Sequence, residues 1–138
     1  MEFLLYLTQD SKVILGILQQ AQYRLAENTG ICRNKDLFGY ADTGKRITIC
    51  TKNIKGSGHD VAFYVNETLT HEAVHAAQQC RNSAFWISKS VMPLPLAKLN
   101  DVSRSAKTAG GNSQIEHEAY WMEDKPNEVK YVLKKYCL

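Results

Sequence analysis

The chain has 138 residues, which predicts one domain, residues 1–138, with enough length to bury a real core. Its hydrophobic share of 44% and charged share of 22% are typical of a soluble globular protein. The net charge of +3 comes from scattered lysines and arginines, so composition argues against nucleic acid as a partner.

The N-terminal stretch MEFLLYLTQDSKVILGILQQAQYR is apolar in places but lacks the pattern of an export signal or a membrane span. Glu2 precedes the apolar run, and no basic region comes before it. Asp10 and Lys12 interrupt the run well short of the length of a span. We therefore expect no stable membrane insertion and a cytoplasmic location.

The first half of the chain predicts one helix and one strand. Apolar residues recur with helical spacing over residues 11–28, and Asn28-Thr29-Gly30 supplies a stop. The segment that follows, as far as Gly44, is rich in glycine and predicts a loop with a short turn. KRITICTKN then alternates β-branched residues with a period of two, which favours a strand.

The stretch KGSGHD predicts a turn, and VAFYV after it is either a second strand or the start of the next helix. Asn66 is the expected cap of a helix that runs to about Asn82. Pro93 and Pro95 forbid a continuous helix through residues 83–111, and Gly110-Gly111 suggests a break.

Two more helices are predicted near the C-terminus. NSQIEHEAYWMED is capped by Asn112 or Ser113, and DKPNEVKYVLKKYC has Asp124 as cap and Pro126 in its first turn. Helices thus dominate beside a small sheet, so the expected fold class is α+β.

Four cysteines occur at positions 32, 50, 80 and 137, and no two of them form a Cys-x-x-Cys pair. A four-cysteine zinc site is therefore not expected. Because no export signal is recognised, free thiols are the expectation, and two disulfides are the alternative with their pairing open.

HEAVH, residues 71–75, is the motif with the clearest chemistry. His71 and His75 lie one turn apart on one helix face, where both imidazoles can reach one metal ion. Glu72 leans to the side of that ion, where it can accept a proton from a water that the ion activates. The motif therefore predicts a Zn²⁺ centre with Glu72 as the general base.

A catalytic zinc ion usually has three protein ligands, so the third must come from elsewhere in the chain. His59 lies before the motif, and Glu116, His117 and Glu118 lie after it on a predicted helix. Glu116 and Glu118 project in different directions from a helix, so we expect at most one of them to reach the metal.

The segments ITICTKNI, ETLTHEAVHAAQQCR and IEHEAYW resemble zincin metallopeptidases of the gluzincin type. Among these they are most similar to the mitochondrial peptidase family that processes an ATP synthase subunit. That family pairs a Cys-x-x-Asn-x-Ile strand with a histidine-containing helix that ends in Cys-Arg. The residues that match are Cys50, Asn53, Ile54, His71, Glu72, His75, Cys80 and Arg81.

The resemblance implies a small zincin-like domain in which the strand RITIC edges the active-site cleft. It also implies that the third metal ligand is the glutamate of a later Glu-x-x-Ala pattern. Glu116 with Ala119 fits that spacing, and Glu118 remains the alternative. His117 is expected beside the site or at the surface.

The function that follows is zinc-dependent hydrolysis of peptide bonds in a peptide or protein substrate. Tyr120 lies one turn after Glu116 and is expected either to stabilise the developing oxyanion or to hold one of the histidines. The apolar stretch FWISKSVMPLPLAKL either covers the cleft, caps the core or contacts a membrane. The alternative function is a zinc-binding regulatory or protein-interaction module with little turnover. Oligomeric state is left open.

Overall fold

The computed structural model describes residues 1–85, 93–108 and 113–138, without the side chains of residues 106–108. Six α-helices and three strands are found in this part of the chain. The helices are α1 (Gln9–Gln20), α2 (Thr51–Gly56), α3 (Val61–Arg81), α4 (Leu96–Thr108), α5 (Ser113–Met122) and α6 (Pro126–Cys137). The strands are β1 (Arg24–Glu27), β2 (Gly39–Asp42) and β3 (Arg46–Ile49), and short 3-10 helices occupy Glu2–Tyr6 and Gly30–Arg33. The α+β prediction is confirmed.

The three strands form one sheet in the order β1-β3-β2, with β3 at the centre. β1 pairs with β3 in parallel, and β2 pairs with β3 in antiparallel orientation. The strand predicted in KRITICTKN is confirmed over Arg46–Ile49 as β3, whereas TKN at the end of that stretch begins α2, and the expectation that the strand edges the cleft is wrong. The two edge strands are β1 and β2, and β2 lies in the segment predicted as a loop, where Gly39–Asp42 pairs with β3.

The helix predicted over residues 11–28 is α1, and it ends earlier than expected, at Gln20. Gln22 takes a left-handed backbone conformation with φ 68°, which turns the chain out of the helix. Leu25, which continues the helical period in sequence, lies instead in β1 opposite Ile47. Pairing with the buried central strand therefore prevails over the local helical pattern.

The central helix α3 begins six residues earlier than expected. Asp60 is its N-cap and accepts a hydrogen bond from the Phe63 backbone N–H, so VAFYV is the first turn of this helix. Asn66 is not a cap but an interior residue, whose side-chain amide donates to the Tyr6 carbonyl and accepts from the Thr8 N–H. At the other end, Asn82 closes the helix in a left-handed conformation.

The core forms where α3 packs against α1, α5, α6 and β2, with α6 making the most extensive contact. The C-terminal helices predicted from NSQIEHEAYWMED and DKPNEVKYVLKKYC are confirmed as α5 and α6. The N-cap of α6 is Lys125, not Asp124, and Pro126 is in the first turn as expected.

All four cysteines form disulfides, Cys32–Cys50 and Cys80–Cys137, so the expectation of free thiols is wrong. Folding brings these distant segments together. The Cα atoms of the two pairs lie 5.5 and 5.3 Å apart, which is a separation that a disulfide spans. Disulfides are typical of oxidising compartments and count against the cytoplasmic location, which stays a prediction.

Helix α4 lies within a segment for which no helix was predicted, and it begins directly after Pro95. Residues 86–92 and 109–112 lie outside the described part of the chain. They include residues 86–92 of the stretch expected as a possible lid, together with Gly110-Gly111 and the potential cap Asn112. Phe85, at the start of that stretch, is buried in the core. Among the described helices, none has the length and apolar character needed to cross a membrane.

Candidate metal centre

An open groove of about 870 Å³ runs along one face of α3. Side chains three or four residues apart on this helix form its floor, because that spacing aligns them on one helix face. Strand β2 forms one wall, and α4 with α5 forms the other. The floor residues include Tyr64, Thr68, His71, Glu72, His75 and Gln79. The two motif histidines thus lie near the middle of the groove.

Helix α5 brings Glu116 against both motif histidines. Its Oε1 lies 3.0 Å from His75 Nε2 and 3.5 Å from His71 Nε2. Among the described residues, these three form the group whose potential ligand atoms all lie within 4.8 Å of one another. The three residues predicted as metal ligands therefore meet at one point, although they come from two helices.

The Nδ1 atom of each histidine ring, which faces away from Glu116, has its own hydrogen-bond partner. His71 Nδ1 lies 2.8 Å from Glu123 Oε1, and Glu123 Oε2 in turn lies 3.3 Å from Lys98 Nζ. His75 Nδ1 lies 2.8 Å from Gln78 Oε1. Both partners accept hydrogen bonds through these oxygens, so each Nδ1 donates and each Nε2 faces Glu116.

The three groups also perturb one another electrostatically. Burial alone would lower the pKa of His71, but hydrogen bonds to Glu116 and Glu123 outweigh it and raise the pKa well above its usual value. For His75, burial is again the largest effect, and the hydrogen bond and charge of Glu116 reverse it. Burial would raise the pKa of Glu116, yet its two histidine partners lower it far below the usual range. The contacts between Glu116 and the two histidines thus favour the charged form of each of the three groups.

The donor set fits zinc. Two imidazole nitrogens and one carboxylate oxygen are a known ligand set of catalytic zinc sites, which leave the fourth position open. In a tetrahedral site with ligand distances of about 2.0–2.1 Å, neighbouring donor atoms lie about 3.3 Å apart. The observed separations of 3.0 and 3.5 Å bracket that value. His71, His75 and Glu116 are therefore the residues that would hold the ion.

Glu72 lies beside the triad on the groove side of α3 and is buried. Strand β2 packs directly on it, since a Cβ atom on Gly39 would lie 3.1 Å from Glu72 Cγ. Burial raises the pKa of Glu72, against the opposing effect of the nearby histidines. A carboxyl group with a raised pKa suits a general base, because its pKa then lies closer to neutral pH.

Tyr120 borders the groove on α5. Its ring packs edge-on against the His71 ring with centroids 4.5 Å apart, and its hydroxyl lies 2.7 Å from the Ser105 hydroxyl of α4. Burial is the main cause that raises the pKa of Tyr120, so the hydroxyl keeps its proton and can donate it. The ring thus contacts one of the histidines, and both predicted roles, holding a histidine and stabilising the oxyanion, stay predictions.

The other candidate ligands lie away from the triad. Glu118 was the alternative third ligand, but it is fully buried and accepts hydrogen bonds from Gln78 Nε2 and the Phe85 backbone N–H. His117 is buried and not at the surface. His59 lines the groove and packs against the Tyr64 ring, with centroids 5.1 Å apart.

Three residues of the site were not anticipated from sequence. Gln78 follows His75 by three positions and Glu123 follows Glu116 by seven, so helical spacing places each on the face of the ligand it follows. That spacing was an available signal for both. Gly39 carried no such signal, because its close approach to α3 depends on where β2 packs.

Fold and site together define a small α+β domain with a candidate metal centre of two histidines and one carboxylate. The chain belongs to the family described as a domain of unknown function (DUF8637), which matches residues 3–138. No curated protein and no solved structure matches the chain. The resemblance to gluzincin-type metallopeptidases, and to the mitochondrial peptidase family that processes an ATP synthase subunit, therefore stays a prediction.

Proposed function

We propose that this protein is a zinc-dependent metallopeptidase that hydrolyses peptide bonds in a peptide or protein substrate. The observation that carries the proposal is the meeting of His71 Nε2, His75 Nε2 and Glu116 Oε1, with Glu72 beside them in an open groove. A triad sealed in the core could bind metal but would admit no substrate. Here the ligand atoms border a space large enough for several residues of an extended chain.

Each protein group has a distinct task in this proposal. When bound, zinc would lower the pKa of a water molecule to about 7 and polarise the substrate carbonyl. Glu72 accepts the proton of the attacking water and passes it to the leaving amine. Tyr120 donates its hydroxyl proton in a hydrogen bond to the developing oxyanion. Glu123 and Gln78 hold the two imidazole rings in position.

A polypeptide is the substrate class that the groove favours. Strand β2 is an edge strand and forms one wall, and extended peptides can add to such an edge by main-chain hydrogen bonds. The mild net charge of +3 offers no basic surface for nucleic acid.

The decisive experiment combines metal content with cleavage of an unfolded substrate such as casein. Wild-type protein is expected to hold stoichiometric zinc and to cleave, and Glu72→Gln should keep the zinc and lose cleavage. Glu128→Gln, an exposed residue of α6, is a matched control that should change neither. Undiminished cleavage by Glu72→Gln would remove the assigned mechanism. Zinc without turnover in the wild type would favour the regulatory or interaction module instead.

A further inference from the structure

We propose that Gln78 and Glu118 are positioning residues that hold the proton of His75 on Nδ1 and leave Nε2 to bind the metal. The inference rests on the proposed zinc site and deepens it. Gln78 lies one turn after His75 on α3, and Glu118 lies two residues after Glu116 on α5. Both side chains are nearly inaccessible to solvent, with 3% and 0% of their surface exposed.

The partners of the Gln78 side chain determine which way its amide points. Its Nε2 lies 3.0 Å from Glu118 Oε1 and 3.1 Å from the Ile115 carbonyl oxygen. The Phe85 backbone N–H lies 3.0 Å from both oxygens of Glu118, so this carboxylate acts as an acceptor. Because an amide NH₂ donates and a carbonyl oxygen only accepts, turning the amide round would set oxygen against two acceptors.

The amide orientation in turn determines the proton on His75. With its NH₂ turned to Glu118, Gln78 presents Oε1 to His75 Nδ1 at 2.8 Å. This oxygen can only accept, so Nδ1 must carry a hydrogen. Glu116 Oε1 is also an acceptor, so metal-free His75 can donate from both nitrogens; when a metal ion replaces the hydrogen on Nε2, the one remaining N–H is on Nδ1. A reversed amide would favour the tautomer that cannot bind metal through Nε2.

These contacts also give the two histidines different hydrogen-bond partners. His71 donates directly to the carboxylate of Glu123, whereas His75 reaches the carboxylate of Glu118 only through the neutral amide of Gln78. Glu118 therefore has a role although it is not a ligand. Its interaction with the Phe85 N–H also links the metal centre to the point where the chain leaves α3.

The test compares zinc affinity, measured by competition with a chelating dye, in Gln78→Leu and Gln79→Leu. The second is a matched control, because Gln79 is the next residue of α3 and bonds the Ala41 carbonyl and the Tyr23 hydroxyl, away from His75. Loss of a partner that orients a metal ligand typically lowers affinity about 10–100-fold. We expect that loss for Gln78→Leu and near wild-type affinity for Gln79→Leu. Equal affinities in both variants would overturn the inference.

A double variant, Gln78→Glu with Glu118→Gln, provides the rescue. The new carboxylate at position 78 still accepts from His75 Nδ1, and the new amide at position 118 donates to it while accepting from the Phe85 N–H. Both changes keep side-chain shape, but the carboxylate at position 78 also meets the Ile115 carbonyl oxygen, an acceptor, so zinc affinity should rise above that of Gln78→Leu without reaching the wild-type value. A folded double variant that binds zinc no better than Gln78→Leu would contradict the proposed order of donors.

A second readout does not depend on zinc. Nitrogen-15 chemical shifts of metal-free Glu116→Ala protein at alkaline pH, where the Glu116 carboxylate no longer faces Nε2, report which ring nitrogen of His75 carries the hydrogen. We expect Nδ1–H in this variant and a mixture of tautomers when Gln78→Leu is added. Wild-type protein that binds no zinc would refute the proposed function, and the tautomer would still decide this inference. An Nε2–H tautomer in Glu116→Ala would overturn it.

Discussion

The substitution Gly39→Ala tests the close approach of strand β2 to helix α3. A Cβ atom at this position would lie 2.6 Å from Thr68 Cγ2, 3.1 Å from Glu72 Cγ and 3.2 Å from the Thr48 carbonyl oxygen. Ordinary van der Waals contacts begin near 3.4 Å. The strand and helix must therefore separate by several tenths of an ångström, and the Glu72 side chain lies directly at that contact.

The expected loss of stability follows from this overlap. Forcing an extra methyl group into a packed interior costs about 1–3 kcal/mol. For a chain of this length, that lowers Tm by about 4–12 °C. A displacement of catalytic groups that approaches 1 Å can cost about 100-fold in rate. We therefore expect casein cleavage to fall much more than zinc affinity, because Gly39 touches Glu72 and not the metal ligands.

Thermal unfolding and a double-mutant cycle with Thr68→Ser provide the assay. That second change removes the Cγ2 atom of the shortest contact, so the double variant should be more stable than the two single effects predict. Gly16→Ala is a matched control on α1, where a Cβ atom meets nothing within 4 Å. It should raise stability by up to about 1 kcal/mol, because alanine suits a helix interior better. Strictly additive effects of Gly39→Ala and Thr68→Ser would refute the reasoning.

Three further predictions concern pH, the second disulfide and Tyr120. Burial and the neighbouring Glu123 raise the pKa of Glu67 from 4.5 to about 7, so the folded state binds this proton more tightly than the unfolded state does. The stability gained from this proton is complete below pH 4.5 and is lost as the pH rises through 7. Metal-free protein should thus lose stability to urea over that interval, and Glu67→Gln should flatten the slope; an unchanged slope would contradict this. Replacing Cys80 and Cys137 by alanine opens a loop that spans 57 positions and should cost about 4 kcal/mol in urea unfolding, whereas a loss below about 1 kcal/mol would argue against it. Tyr120→Phe should keep zinc and lower kcat about 100-fold, and an unaltered kcat would exclude the oxyanion role.

Several features of the fold could be read from local sequence patterns. The strand β3 and the helices α5 and α6 follow from periodicity, since each pattern needs only residues near one another in the chain. The end of α1 could not be predicted in this way. Leu25 continues the helical period, but the buried partner that draws it into β1 lies more than twenty residues further along the chain.

The sequence by itself determined that His71 and His75 share a helix face, because a spacing of four residues fixes that relation within any helix. Only the tertiary structure decided that Glu116 and not Glu118 meets them, since both lie on α5 and the packing of α5 on α3 selects the face. The same holds for the disulfide partners and for β2 as the wall of the groove. A local pattern sets spacing along one element, whereas contacts between distant elements depend on how the whole core packs.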